Sequence, residues 1–333
     1  MKLKICTLLI GLFFIGRIQA QDPIFSQYFL VPQSLNPGFA GYMETTHFGV
    51  IHRTQWPSLG FRIETEYGFA NTWFDRANSG VGVSFLNQRE SQSGYNFSQF
   101  NMNYAYQVQL SDEWYFRPGI ELGRGWKNFG FQGLVLEGQI NIQTGFINTS
   151  SIDLLLLEER VGFWDVSAGL LFNTEKGWIG VAARHLNRPN ISLTTNGNIP
   201  LETFFSIGGG YTFLVADFID VLFLPYETQV MITGNYMQQG RFNRFDLGTS
   251  LSIGKLILGS TLVTNPIRNS DNSHLLTSVN AFTGLQYTNF RFGISYDFNT
   301  SRIGRTGGVY ELSLTYQLDS EAKRCFGCPL YKK

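Results

Sequence analysis

The strongest constraint on the fold is an alternation of apolar and polar residues with a period of two, which recurs along most of the chain. It is clearest in residues 310–318, where alternate positions form two sets. The apolar set is Tyr310, Leu312, Leu314, Tyr316 and Leu318, and the polar set is Glu311, Ser313, Thr315 and Gln317. Because successive side chains of a strand point to opposite faces, such a strand has one apolar and one polar face. Strands of about ten residues with an apolar outer face are what a bilayer-spanning β-barrel requires.

The same alternation predicts about fourteen strands. The clearest lie at 99–108, 163–172, 290–298 and 310–318, and weaker ones at 46–54, 64–73, 80–88, 114–126, 178–185, 203–213, 226–236, 242–253, 255–264 and 276–287. In 290–298 the polar face carries Arg291 and Asp297, which are costly in lipid and ordinary in a wet lumen. We therefore predict an all-β fold, a transmembrane antiparallel β-barrel of about 14 strands that occupies residues 43–318.

The connections between these strands alternate in length. Short polar turns are predicted at 75–78, 111–113, 174–177, 254–255 and 288–289, and longer connections at 54–63, 127–162, 186–202, 265–275 and 299–308. Bacterial outer-membrane barrels have short periplasmic turns and longer extracellular loops. On this basis the N-terminus is expected on the periplasmic side.

A secreted β-sandwich is the structural rival, because it also uses short strands with alternating faces. A sandwich would carry many Lys, Glu and Thr on its outer face, whereas the polar face here is rich in Gly, Ser, Asn and Gln. Aromatic residues near predicted strand ends favour the membrane barrel, in which girdles of such residues mark the two interfaces. They are Trp114, Tyr115, Trp126, Trp164, Trp178 and Tyr236.

The first twenty residues predict the compartment. Lys2 and Lys4 precede an apolar stretch at 5–16, and Ala20 offers a small residue at the cleavage point before Gln21. The apolar stretch is too short to span a bilayer, so residues 1–20 are expected to be a cleaved Sec signal peptide. Together with the barrel pattern, this predicts an integral protein of the bacterial outer membrane, with lipid around it.

The segment 21–42 differs from the rest because it contains three prolines, which lack the donor a central strand needs. It is predicted to be an extended N-terminal arm that binds a partner or plugs the barrel. Its candidate residues are Pro23, Phe25, Tyr28, Phe29, Asn36 and Pro37. Residues 319–333 are predicted to form a periplasmic tail, which is a second candidate partner site because it carries four basic side chains.

Several motifs resemble the PorP/SprF family of type IX secretion system membrane proteins. They are Asp22-Pro23-x-Phe25-Ser26-Gln27-Tyr28, Leu35-Asn36-Pro37, Ala40-Gly41, Arg53-x-Gln55-Trp56-Pro57, the blocks 164–172, 185–192 and 307–314, and Cys328-Pro329-x-Tyr331. Gly38 stands where the family more usually has alanine, and Val309-Tyr310 stands where it more usually has Ala-His. The order and spacing of these motifs make the resemblance specific.

The resemblance implies an outer-membrane barrel without chemistry of its own, which serves type IX secretion and, in gliding bacteria, the export or surface anchoring of large adhesins. The implied partner is a secreted adhesin or the C-terminal sorting domain of a cargo protein. Some members instead contact periplasmic secretion components or a peptidoglycan-anchored lipoprotein. The motifs do not separate these branches, and we favour the adhesin-dedicated one because such barrels occur in many copies per genome.

The residues give little support for an enzyme, a cofactor or a metal. His185 is the best catalytic candidate by position, but a rim histidine bonded to a backbone group or a loop carboxylate is the favoured interpretation. Cys325 and Cys328 supply only half of a four-ligand zinc site, so a local disulfide is favoured over two free thiols. No basic stripe in the sequence indicates nucleic acid as a partner.

Two channel functions compete with docking. A passive porin would use the loop at 127–162 as a constriction, but the apolar runs at 134–136 and 154–157 are not expected of a constriction washed by water. A hydrophobic-solute channel would use the kink that Gly208-Gly209-Gly210 can supply. Our hypothesis is that the arm and this long loop obstruct the lumen, which makes the protein a docking platform.

Overall fold

The structure, a computed structural model, describes residues 22–130, 159–218, 224–267, 275–300 and 306–318. The predicted signal peptide, most of the loop at 127–162 and the predicted tail with Cys325 and Cys328 lie outside the described residues. Within those residues, no helix is long and apolar enough to cross a membrane.

The described residues form fifteen β elements, which make fourteen wall strands because two of the elements belong to one strand. Their bounds are β1 His47–Gln55, β2 Ile63–Phe74, β3 Ser79–Glu90, β4 Asn96–Tyr106, β5 Val108–Gln109, β6 Tyr115–Asn128, β7 Arg160–Asn173, β8 Gly177–Arg184, β9 Phe204–Leu214, β10 Gln229–Gln239, β11 Phe242–Ile253, β12 Leu256–Thr264, β13 Leu276–Tyr287, β14 Phe290–Asn299 and β15 Val309–Gln317. β4 and β5 both pair with β6 and are interrupted only at Gln107. The prediction of about fourteen strands is confirmed.

The strands close into an antiparallel barrel. Each strand pairs with its neighbours in sequence, and β1 pairs with β15 to close the ring. In that closing pair Arg53 lies opposite Glu311, and both side chains point into the lumen. The Leu318 amide donates to the Thr46 carbonyl at 2.9 Å, just beyond the last pair.

The two faces of the wall follow the alternation in the sequence. On β15 the side chain of Leu312 is 53% exposed on the outer face, whereas its neighbour Glu311 is 1% exposed in the lumen. β14 repeats the arrangement, with Ile294 outward and Asp297 inward. An apolar outer face suits a bilayer, since lipid replaces water there.

The two rims differ as the sequence predicts, with two exceptions. The rim at which β1 begins, called here the short-turn rim, has the connections 75–78, 110–114, 174–176, 254–255 and 288–289. The opposite, long-loop rim has 56–62, 91–95, 129–159, 185–203, 265–275 and 300–308. The exceptions are the long connection 215–228 at the short-turn rim and the two-residue turn 240–241 at the long-loop rim.

The aromatic residues near strand ends do not all face outward. Trp114 and Trp164 are exposed on the outer surface, as a girdle requires. Trp178 instead points into the lumen, where its ring packs edge to face on Phe39 of the arm at 5.0 Å between centroids. Its assignment to a girdle was wrong, because its position on β8 falls on the lumen face.

Candidate functional site

The N-terminal arm, of which the structure describes residues 22–42, lies inside the barrel. Asp22 contacts Gln239 and His185, which lie at the ends of β10 and β8 on the long-loop rim. The chain then descends through the lumen and joins β1 at the short-turn rim. The expectation that the N-terminus lies on the short-turn side is therefore corrected for the described chain, whose first residue is at the opposite end of the lumen.

The arm is also not extended. It folds into consecutive turns with two 3-10 helices, Pro32–Ser34 and Pro37–Phe39, each of which has proline near its start. Proline is accepted there because the first amides of a helix have no partner within it. This compact path places successive arm residues against different parts of the wall.

The first attachment point is the carboxylate of Glu311. Its two oxygens accept the backbone amides of Ser26 at 2.8 Å and Gln27 at 2.9 Å. The same carboxylate forms a buried ion pair with Arg53 across the β1–β15 seam. Hydrogen bonds to an ionised, buried acceptor are among the stronger ones in proteins, so Glu311 fixes this part of the arm.

Side chains of the arm strengthen the same attachment. Ser26 Oγ donates to Asp297 at 2.7 Å, and Gln27 Nε2 donates to Ser295 Oγ at 3.0 Å. Ser313 Oγ donates to Gln27 Oε1 at 2.6 Å, so both ends of that amide are bonded. The resembling motifs at 22–28, 53–57 and 307–314 thus meet in one network, although they are far apart in sequence.

The second attachment point is a histidine held between two carboxylates. His185 Nε2 lies 2.8 Å from Asp22 of the arm, and its Nδ1 lies 2.9 Å from Asp165 on β7. Gln99 donates to Asp165 at 2.9 Å, and Arg184 approaches Asp22 at 3.3 Å. Both ring nitrogens of His185 therefore face a carboxylate, Nε2 in a hydrogen bond and Nδ1 at ion-pair distance, which agrees with a structural histidine.

These contacts set the charges at this point. Burial alone would raise the pKa of the Asp22 carboxyl, but the positive charges of His185 and Arg184 lower this pKa by more. The pKa of Asp22 therefore lies well below its ordinary value. Burial alone would lower the pKa of His185, but the negative charges of Asp22 and Asp165 have the larger effect and raise this pKa to about 9. At neutral pH the arm is therefore held here by an ion pair between two fully charged groups.

The third attachment point is Asn36 with the turn that follows it. Its Nδ2 donates to the carbonyl oxygens of Leu170 on β7, at 3.1 Å, and of Val181 on β8, at 3.3 Å, while its Oδ1 accepts the Gly38 amide at 2.8 Å. Arg117 on β6 reaches the same turn and donates to the Gly38 and Ala40 carbonyls at 3.2 and 2.6 Å. The arm is thus bonded directly to the backbone of the wall.

Glycines in the wall make this approach possible. A Cβ on Gly119 would lie 2.5 Å from the Gly38 nitrogen, and one on Gly80 would overlap the Ala40 carbonyl oxygen. Distances that short do not occur between real side chains and backbone. These wall positions therefore accept only glycine while the arm stays in place.

Apolar contacts complete the docking of the arm. Phe25 and Val31 pack into a buried cluster of wall residues, Leu30 into a second, and Ile24 into a third. The wall residues of these clusters are Ile51, Tyr67, Phe69, Leu86, Ile257, Phe282, Phe204 and Met237. The sequence predicts a polar lumen, and these apolar clusters were not predicted. Apolar residues at inward positions of β1–β3 were the signal that could have revealed them.

The predicted plug residues all lie in this docked arm. Phe25, Tyr28, Asn36 and Pro37 are buried, and Pro23 is half-buried. The remaining one, Phe29, is half-buried and packs edge to face on Phe282 at 5.0 Å.

A second segment fills the long-loop end of the lumen. In the connection 185–203, Ile191 and Leu201 are buried against Phe163, which stacks on Phe97. The sequence predicts such a role for the loop at 127–162, of which residues 131–158 lie outside the described part of the chain. Among the described residues, no group of three or more His, Cys, Asp or Glu is placed to hold a metal ion.

Comparison with known proteins identifies a family. Residues 18–316 match the family described as type IX secretion system membrane protein PorP/SprF. None of the curated proteins matches the chain. Similar solved structures include Acinetobacter baumannii outer membrane protein Omp33, 8% identical over 83% of this chain and 99% of that one, with a TM-score of 0.43.

Two further structures have a similar outline. The KdgM porin is 10% identical over 82% of this chain and 99% of its own, with a TM-score of 0.37. A triple mutant of the Rhodopseudomonas blastica porin is 8% identical over the same shares, with a TM-score of 0.34. Likeness at this level says nothing about function.

Proposed function

The chain belongs to the PorP/SprF family of type IX secretion system membrane proteins, and from that premise we propose that it is a plugged outer-membrane docking platform for a secreted partner. It acts without catalysis, in the export or surface anchoring of an adhesin or another cargo protein. The observation that carries the proposal is the arm, which occupies the lumen and is bonded to the wall at both ends.

The arm argues against a passive porin. A porin needs a continuous aqueous path, whereas Glu311, His185 and Asn36 hold the arm against widely separated strands of the wall. The buried fraction of the arm side chains supports the same view, since Val31 and Gln27 are 0% exposed. An obstructed barrel is useful as an anchor in the membrane, with its rims available to partners.

His185 also supports a role without catalysis. A nucleophilic mechanism needs a histidine nitrogen free to take a proton from a serine or cysteine. Here both nitrogens face carboxylates, at 2.8 and 2.9 Å. The histidine therefore serves to hold Asp22 of the arm.

The export role is tested by removing the gene and quantifying secreted and cell-surface proteins by mass spectrometry. A dedicated platform predicts that one large adhesin is lost from the surface while other type IX cargo remains. Loss of all type IX cargo would indicate a core component, which is the other branch of the family role. Unchanged surface and secreted proteins would contradict the proposal. The matched control is the same strain complemented with the full-length gene.

A further inference from the structure

A cavity of about 910 Å³ opens at the short-turn rim, below the arm. Its inner side is formed by the arm, including Phe29 and Gln33. Its outer side is formed by the ends of β1, β2 and β13–β15, including Asn71 and Arg291. Glu311, His185 and Asn36, the three attachment points of the arm, do not line this cavity.

Three polar atoms in the lining are buried and form no hydrogen bond within the described chain. They are Gln33 Nε2, Thr45 Oγ1 and Arg291 Nε. Gln33 is only 6% exposed, so its amide has no easy access to bulk solvent. Leaving a buried donor without a partner costs about 1–3 kcal/mol, and two of these three atoms can only donate. A rotation of these side chains toward the cavity would let them donate to a ligand that offers acceptor atoms, as the carbonyls of a peptide do.

The mouth of the cavity prefers a particular kind of peptide. Glu44 and Asp75 are exposed there, and their two negative charges exceed the one positive charge of Arg291 in the same lining. Trp73, Tyr42 and Phe39 line the same cavity with aromatic rings. Carboxylates pair with Lys and Arg, and aromatic faces attract both cations and other rings. A basic peptide with aromatic residues fits these features.

We propose that this cavity binds the chain's own C-terminal tail, residues 319–333. Leu318, from which the tail continues, lines the cavity and is fixed to Thr46 by its amide at 2.9 Å. The tail supplies the required chemistry with Lys323, Arg324, Phe326, Tyr331, Lys332 and Lys333.

The tether favours this occupant over a free peptide. By general polymer scaling, a chain of fifteen residues, the length of 319–333, has an r.m.s. end-to-end distance of about 20 Å, and linked sites at such distances see millimolar effective concentrations. Any other peptide that binds in this cavity must therefore displace the tail. This inference does not depend on the secretion role.

The test uses disulfide formation in the full-length protein in detergent micelles. Cys328→Ser leaves Cys325 as the tail's one thiol, and Thr45→Cys places a second thiol in the cavity lining. The matched control places the second thiol at Asp112→Cys, which lies on the same rim and outside this cavity. Mild oxidation is followed by peptide mass spectrometry at a protein dilution that excludes intermolecular pairs.

A tail bound in the cavity predicts at least about tenfold more 45–325 disulfide than 112–325 disulfide. Gln33→Leu removes one donor at nearly constant volume and is expected to lower the 45–325 yield roughly fivefold, the value of one net hydrogen bond. Equal yields at the two positions would overturn the proposal and leave the cavity to a peptide of another protein. Folding of each variant is checked by its heat-dependent mobility in a gel. A single-channel recording does not bear on this result, so the plug and the tail are tested separately.

Discussion

Replacing Glu311 with glutamine should release the arm without unfolding the barrel. The carboxylate accepts two arm amides and neutralises buried Arg53. Glutamine keeps one acceptor oxygen, but it turns an NH₂ group toward the other amide and leaves Arg53 without a charged partner. Arg53 and Glu311 both belong to the wall, so the loss of their ion pair lowers the stability of the barrel whether or not the arm is docked. The arm itself loses one charge-assisted hydrogen bond, so we expect its docking to weaken by about 1.5–3 kcal/mol, which is roughly one to two orders of magnitude.

Hydrogen exchange measures this directly, because the amides of Ser26 and Gln27 are the donors in question. When closing is faster than exchange, their exchange rate scales with the fraction of time the arm is undocked. Peptides that cover 22–31 should exchange faster in Glu311→Gln by the stated factor, while peptides from β3 and β4 keep their protection.

The matched control is Glu64→Gln, because Glu64 pairs with the half-exposed Arg89 at 2.9 Å near the long-loop rim. Pairs of that kind contribute about 0–1 kcal/mol, so the control should change arm exchange by less than about fivefold. If Glu311→Gln leaves the exchange of 22–31 within the range of the control, the carboxylate does not hold the arm and the reasoning fails.

Two further predictions concern the other attachment points. Gly80→Ala should lower the stability of the protein in detergent by about 1–3 kcal/mol, because the added Cβ would overlap the Ala40 carbonyl oxygen. The control Gly68→Ala should be neutral or slightly stabilising, because the atom nearest to its added Cβ is 3.7 Å away. Equal effects of the two substitutions would refute the close approach of the arm to Gly80. The His185 pKa is raised to about 9, so the stability from its pair with Asp22 should be complete below about pH 6.5 and lost as pH rises through 9. Melting curves between pH 6 and 10 should show this loss in the wild type relative to His185→Gln, and parallel curves for the two proteins would contradict it.

The wall of the barrel could be predicted from sequence because its signal is local. In 290–298 and 310–318 each outward residue is apolar and each inward one is polar or small, so period and facing follow from neighbouring residues alone. Strand bounds then differ from the prediction by three residues at most, as at the beginning of β4, β7 and β10. The predicted strands 203–213 and 226–236 leave a long connection between them, but its place at the short-turn rim breaks the alternation of short turns and long loops and has no local signal.

The contents of the lumen could not be predicted in the same way. The alternation shows that Glu311 points inward, but not that it meets the amides of Ser26 and Gln27, which are more than 280 positions away. The prolines of the arm excluded a central strand and gave no direction for its path. Apolar inward residues such as Ile51 and Phe69 signal a filled lumen, because water would not be expected to wet them, and that signal was overlooked.

The central claim is that the arm obstructs the barrel, and single-channel recording in planar bilayers tests it most directly. The full-length protein is predicted to give no large, steady conductance, and a variant that lacks 22–41 yet keeps heat-dependent gel mobility is predicted to give a higher conductance, limited by the segment 185–203 that stays in the lumen. A large, steady conductance from the full-length protein, equal to that of the variant, would contradict the account.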